Sequence, residues 1–268
     1  MPVLGAFDCS GSISDEHFAK MLDSTSLSDR YVAAKALGHF PSDMTTRVLA
    51  RTVADDNEHI YVRLESAASM FRLGHREYIS FFNAMLGDHY LENRLECAIV
   101  LGEIPSDKSR DLLIHTLLDQ SQHPEIRAGA AWSLGELQDK DAMGPLIKVF
   151  NNVEEKVRVE AARALLRFSA GYQKEIVGLI PQGSEDERAG IAWALSNSGG
   201  FAVRDLLPSM TDDEARRWIS WIIGTQDQAA YVGQIEELKH ADSEVYFAVT
   251  VLWKILASWV AGLDVYYT

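Results

Sequence analysis

The chain has 268 residues, 47% of them hydrophobic, and a formal net charge of −14. That is ample apolar material for a continuous core, while the negative charge argues against phosphate backbones as the main ligand, since such binding runs on lysine and arginine. Two cysteines, Cys9 and Cys97, suit a reducing compartment rather than a disulfide framework.

Residues 1–13 read as irregular, and the start Met1-Pro-Val-Leu lacks the positive region and apolar run of a secretory signal, so the protein is expected in the cytoplasm. Ser14-Asp15-Glu16 then caps a first helix, offering an oxygen acceptor and negative charge at its N-terminus. From there one pattern recurs, anchored on an arginine with small residues three and four positions on and an aliphatic at plus seven, often followed by glycine. The anchors are Arg30, Arg63, Arg94, Arg127, Arg158, Arg188 and Arg216, with Tyr246 in a degenerate eighth copy. Subtracting neighbouring numbers gives steps of 33, 31, 33, 31, 30, 28 and 30 residues. A period near thirty that also holds a second apolar stretch predicts a helix pair per copy. First helices fall near Asp43–Val53, Arg76–Leu86, Asp107–Leu118, Ala142–Phe150, Lys174–Ile180, Val203–Met210 and Ala229–Leu238. Cys97 takes a small-residue slot and reads as a buried thiol.

These copies, such as Val157-Arg-Val-Glu-Ala-Ala-Arg-Ala-Leu165, resemble the short HEAT-like repeats of the phycobilisome-lyase type. The resemblance covers Asp15 to the C-terminus. It implies an all-α, right-handed α-solenoid, a superhelix of about eight helix pairs, forming one domain over residues 14–268. It is weaker for function, because such repeats serve scaffolds, lyase subunits, DNA glycosylases and metal hydroxylases alike.

On a helical wheel, plus three, plus four and plus seven lie within about 60° of the arginine, which places the guanidinium toward the packed side. It is expected to bond backbone carbonyls or the acidic clusters that precede the second helices (Asp55-Asp56, Glu154-Glu155, Glu185-Asp186-Glu187, Asp212-Asp213-Glu214 and Asp242). Those clusters read first as caps, and also as a negative edge for a basic partner. Plus two, plus five and plus nine lie opposite the core. The resemblance puts that face on the concave side. Trp132, Trp193, Trp218 and Trp221 fall on it, beside Glu103, Glu136, Arg163 and Arg167, and these eight are the candidate binding residues. Gly129 and Gly190, three residues before Trp132 and Trp193, are expected to leave the ring faces uncovered. Tight packing of the rings against neighbouring helices is the competing expectation.

The deoxyhypusine hydroxylases that share the resemblance carry His-Glu pairs on these helices. Here Glu65, Glu96 and Glu160 take the glutamate slot, but Leu64, Leu95 and Val159 precede them, so the nitrogen ligands of a metal site are missing. No catalytic residue, metal ligand or cofactor is implied. The favoured reading is a non-enzymatic protein-binding scaffold or adaptor whose partner is another protein or peptide, with a basic one favoured. Two alternatives stay open: a bilin or tetrapyrrole lyase or chaperone subunit, and a HEAT-type DNA repair glycosylase, against which the acidic charge stands. Neither nucleic acid nor a membrane is expected. Val245–Leu263 is apolar enough to suggest a span, yet Lys254 lies near its middle, so it reads as the last repeat helix. Its aromatic residues Tyr246, Trp253, Tyr266 and Tyr267 mark it as a candidate homodimer contact.

Overall fold

The computed structural model describes the backbone of residues 14–267 and the side chains of residues 14–256. The irregular start expected for residues 1–13, Cys9 within it, and the side chains of Tyr266 and Tyr267 fall outside that range. Among the described residues all regular structure is helical, and the fold is an α-solenoid of helix pairs. The chain forms two compact units, one reaching Leu112 and one starting at Leu113.

The first unit holds α1 (Asp15–Met21), α2 (Leu27–Leu37), α3 (Asp43–Ala54), α4 (Ile60–Arg72), α5 (Ile79–Met85) and α6 (Leu91–Leu101). The division falls inside α7 (Asp107–Leu118). The second unit continues with α8 (Pro124–Leu137), α9 (Met143–Lys148), α10 (Glu155–Val177), α11 (Glu185–Ser196), α12 (Val203–Leu206), α13 (Asp213–Gly224), α14 (Gln228–Ala241) and α15 (Ser243–Tyr267). Short 3₁₀ turns lengthen several first helices, as at Arg76–Tyr78 before α5 and Val149–Asn151 after α9.

The helices alternate as the period requires, with one departure. The first helix expected at Lys174–Ile180 is not separate. It continues from the preceding second helix as α10, broken only at Tyr172, where φ −128° and ψ 28° leave helical geometry. Gly171 next to it supplies a point of low helix propensity, and one non-helical residue takes the place of a loop. Elsewhere the ends follow their sequence signals. The Ser14 side chain accepts from the His17 amide, and Ser184 with Glu187 forms a complete capping box on α11. The Asp212 carboxylate takes the Ala215 amide at 2.9 Å, which holds its pKa below the ordinary value.

The small residues of the repeat are where the helices meet. Ala33, Ala34, Ala130, Ala131, Ala161 and Ala162 are all buried, with leucines at plus seven beside them. The glycine at plus eight has a specific neighbour, the plus-six residue of the following copy. A Cβ on Gly38 would lie 2.6 Å from Ser69 Oγ, one on Gly135 would lie 2.8 Å from Ala164 Cα, and one on Gly224 would lie 2.3 Å from Leu252 Cδ2. At Gly135 the next helix's backbone leaves no room for a side chain, whereas at Gly38 and Gly224 the nearest atom belongs to a neighbouring side chain.

Three of the anchoring arginines bond backward to the end of the first helix of their own pair. Arg63 Nε donates to Val53 O at 3.0 Å, Arg127 Nε to Leu117 O at 2.9 Å, and Arg188 Nε to Ile180 O at 2.9 Å. Arg158 and Arg30 reach loop carbonyls of Asn152 and Ser24. Helix C-termini leave carbonyls without intrahelical partners, and the guanidinium supplies the missing donors. Acidic partners join where they are near, as Glu58 does for Arg30 and Glu244 for Arg216. Arg127 is buried, and burial lowers its pKa, with Glu154 and Asp119 opposing.

Cys97 is buried in its small-residue slot, with Sγ 3.3 Å from Phe82 O, and burial pushes the thiol pKa well up. Trp253, expected at an exposed dimer contact, is instead buried, because it occupies the plus-seven core position of its copy. Among the described residues no helix is long and apolar enough to cross a membrane.

Candidate functional site

In the second unit the four tryptophans differ in what covers them. Trp193 on α11 and Trp221 on α13 are each 45% exposed, at the same plus-five register. Trp132 and Trp218 are half-buried. The Arg167 guanidinium lies 5.9 Å from the centroid of the Trp132 ring while its Nε pairs with Glu136 at 3.0 Å. Glu136, Arg167 and Trp132 therefore form one group. Arg163 pairs with Glu160 on its own helix at 2.6 Å.

Two grooves open on this face. One, of about 640 Å³, runs between Trp218, Ser220 and Trp221 of α13 and Ala248, Val251, Leu252 and Ile255 of α15, with Glu185 and Arg217 at its edges. The other, of about 510 Å³, has Phe150, Val159, Ala162, Gly190 and Trp193 as its apolar wall and Asn152, Arg158 and Asp186 as its polar one. A Cβ on Gly190 would fall 2.3 Å from Phe150 Cδ2, so the glycine makes room for the phenylalanine ring. The α15 wall and Ser220 are absent from the candidates read from sequence. The available signal is that Ser220 is a serine in a slot that holds alanine in six other copies, from Ala34 to Ala192.

Glu103, the remaining candidate, belongs to the first unit and sits in a charged cluster there. It takes Lys35 Nζ at 2.6 Å and Arg72 Nη2 at 3.3 Å. Arg72 Nη1 also holds Glu65 at 2.8 Å, and Lys35 stands 3.9 Å from the same carboxylate. Glu65 and Ala68, at the plus-two and plus-five positions that the wheel turns away from the core, are fully buried. Arg72 from the same helix and Lys35 from a neighbouring one bring their charged ends to the Glu65 carboxylate, and a buried carboxyl group needs such partners. The pKa of Glu96 is raised, first by burial, then by Glu65 and Glu103, with Lys35 opposing. Burial and the same three glutamates raise the Tyr31 phenol pKa.

A family model of HEAT repeats matches residues 82–167 and 114–196. This is a HEAT-like repeat protein. Among curated proteins it is similar to a deoxyhypusine hydroxylase of Candida glabrata, 32% identical over 120 residues, a stretch that makes up 42% of this chain and 37% of that protein. The match thus spans little more than a third of the hydroxylase's length. Among solved structures, a chain of the complex of CpcE and CpcF of phycocyanin lyase from Nostoc sp. aligns over 96% of this HEAT-like chain and 99% of its own, at 17% identity and TM-score 0.42. Human deoxyhypusine hydroxylase in complex with glycerol aligns over 82% and 83%, at 18% identity and TM-score 0.39. Among the described residues of these HEAT-like repeats, no group of three or more histidine, cysteine, aspartate or glutamate side chains is placed to share a metal ion.

Proposed function

We propose that this HEAT-like repeat protein is a non-enzymatic scaffold whose protein or peptide partner docks on the tryptophan face of the second unit. The observation that carries the reading is the pair Trp193 and Trp221, each 45% exposed at one register on consecutive second helices. Leaving two indoles in water forgoes burial that each would otherwise gain, and buried tryptophans dominate the energy of protein interfaces. The grooves beside them give an apolar side chain somewhere to go, and the charge of −14 favours a protein over a nucleic-acid partner.

The test is capture from the native host with cross-linking mass spectrometry, run with the natural chain and with Trp193→Ala/Trp221→Ala. The expected result is a partner cross-linked to α11, α13 or α15 whose affinity falls by about 2 kcal/mol or more in the variant, with an unchanged melting temperature. A partner held equally by both chains would overturn the reading.

A further inference from the structure

The groove between α13 and α15 has a feature that an apolar floor alone does not explain. Ser220 is buried in its wall, and its Oγ has no hydrogen-bond partner. The indole N–H of Trp218, on the same wall, is likewise buried and unpartnered. Buried polar groups are normally paired, and each unpaired one costs free energy. Packing does not ask for the hydroxyl, since alanine fills the equivalent slot in six other copies. Two unpaired groups in one wall point to a ligand that brings hydrogen-bonding atoms with it.

The rim adds a charge. Arg217 is held by Glu214 at 2.5 Å, whereas Glu185 is exposed and takes no ion pair among the described residues. Asp186, the next residue, faces the second groove with the same lack of a partner. A helical ligand would satisfy its backbone internally and leave the Trp218 and Ser220 groups unpaired. An extended segment presents free N–H and C=O groups along its length.

We infer that this groove binds an extended peptide segment carrying a bulky apolar residue next to a lysine or arginine. The apolar residue packs on Trp221, Val251 and Ile255, the Trp218 N–H donates to a peptide carbonyl, the Ser220 hydroxyl pairs with the peptide backbone, and Glu185 meets the cation. The inference rests on the docking face proposed above and names the class of its partner.

The probe is a random dodecapeptide phage library selected on the full chain, followed by fluorescence polarisation with the enriched peptides. The expected consensus pairs an apolar residue with a basic one. Ser220→Ala and Glu185→Gln should each weaken binding about three- to tenfold, the second effect fading in high salt. Ser220→Ala should melt no lower than the natural chain, since its hydroxyl has no partner to lose. Peptides that need Trp221 but ignore both substitutions, or a consensus without a basic residue, overturn this inference and leave the docking face standing. Peptides indifferent to Trp221→Ala and Trp193→Ala count against the face itself. Absence of any enriched sequence overturns the peptide assignment, while the cross-linking experiment decides the face separately.

Discussion

Ala161 and Ala162 are consecutive residues of one helix, and the difference between them shows how finely the repeat assigns its positions. Ala161 is sealed, whereas Ala162 forms part of the wall of the 510 Å³ groove. Leucine at 161 should overpack the crossing and cost about 1–3 kcal/mol. Leucine at 162 has the groove to grow into and should cost measurably less, so comparing two melts checks the assignment, and equal losses would contradict it. Gly135→Ala should destabilise by about 1–3 kcal/mol although alanine is the better helix former, because the new methyl would meet the backbone at Ala164. Glu96 gives a pH test in the first unit. Its pKa is raised in the folded state, so the folded chain binds that proton more tightly than the unfolded one, and the ionised side chain destabilises the fold. Glu96→Gln should therefore raise the melting temperature at neutral pH, and the gain should disappear as the pH falls below the ordinary glutamate value of 4.5. A gain that persists in acid would show that burial and repulsion at Glu96 are not its source.

At the scale of helices, the second member of each pair is the legible one. Arginine, small residues and the plus-seven aliphatic all serve one packed face, so their spacing states the register directly, and the burial of Ala130, Ala131 and their counterparts follows it. What is not legible depends on a neighbouring copy. Glu65 is paired with Lys35 of the preceding copy as well as with Arg72 of its own helix, the space beside Gly190 belongs to Phe150, and no wheel drawn on a single helix contains Lys35 or Phe150. The candidate site divides on the same line. The exposure of Trp193 and Trp221 is readable from their own helix, whereas the α15 wall and the unpaired Ser220 hydroxyl are not. The join at Tyr172 is hidden for another reason, since a bend of one residue leaves no proline or polar run to signal it. Trp253 keeps aromatic company that suggests a contact surface, yet its register is a core one. As a plus-seven core residue it should cost about 3–5 kcal/mol when replaced by alanine, with no change of mass by light scattering at temperatures where the variant is folded.

For the molecule as a whole, a repeat array has stability that is local in kind, a sum over copies and their contacts with the next. The first unit has its own core, with Leu22, Leu37, Leu49, Val62 and Met70 among its members. Leu49→Ala should cost about 2–5 kcal/mol, and hydrogen exchange should report it as faster opening of α1 to α4 with little change in α11 and α13. Uniform acceleration along the chain would mean that the array opens as one cooperative block. The backward-reaching arginines carry a consequence for how such a chain comes to exist. Each carbonyl clamp begins and ends inside one pair, and Gly38, Gly135 and Gly224 each receive the plus-six residue of the copy that follows. A gene segment duplicated in register therefore inherits its own fastening and its own socket at birth. Lengthening the protein needs no invention, and a duplicated copy starts life folded, free to exchange an alanine for a serine or a surface residue for a tryptophan.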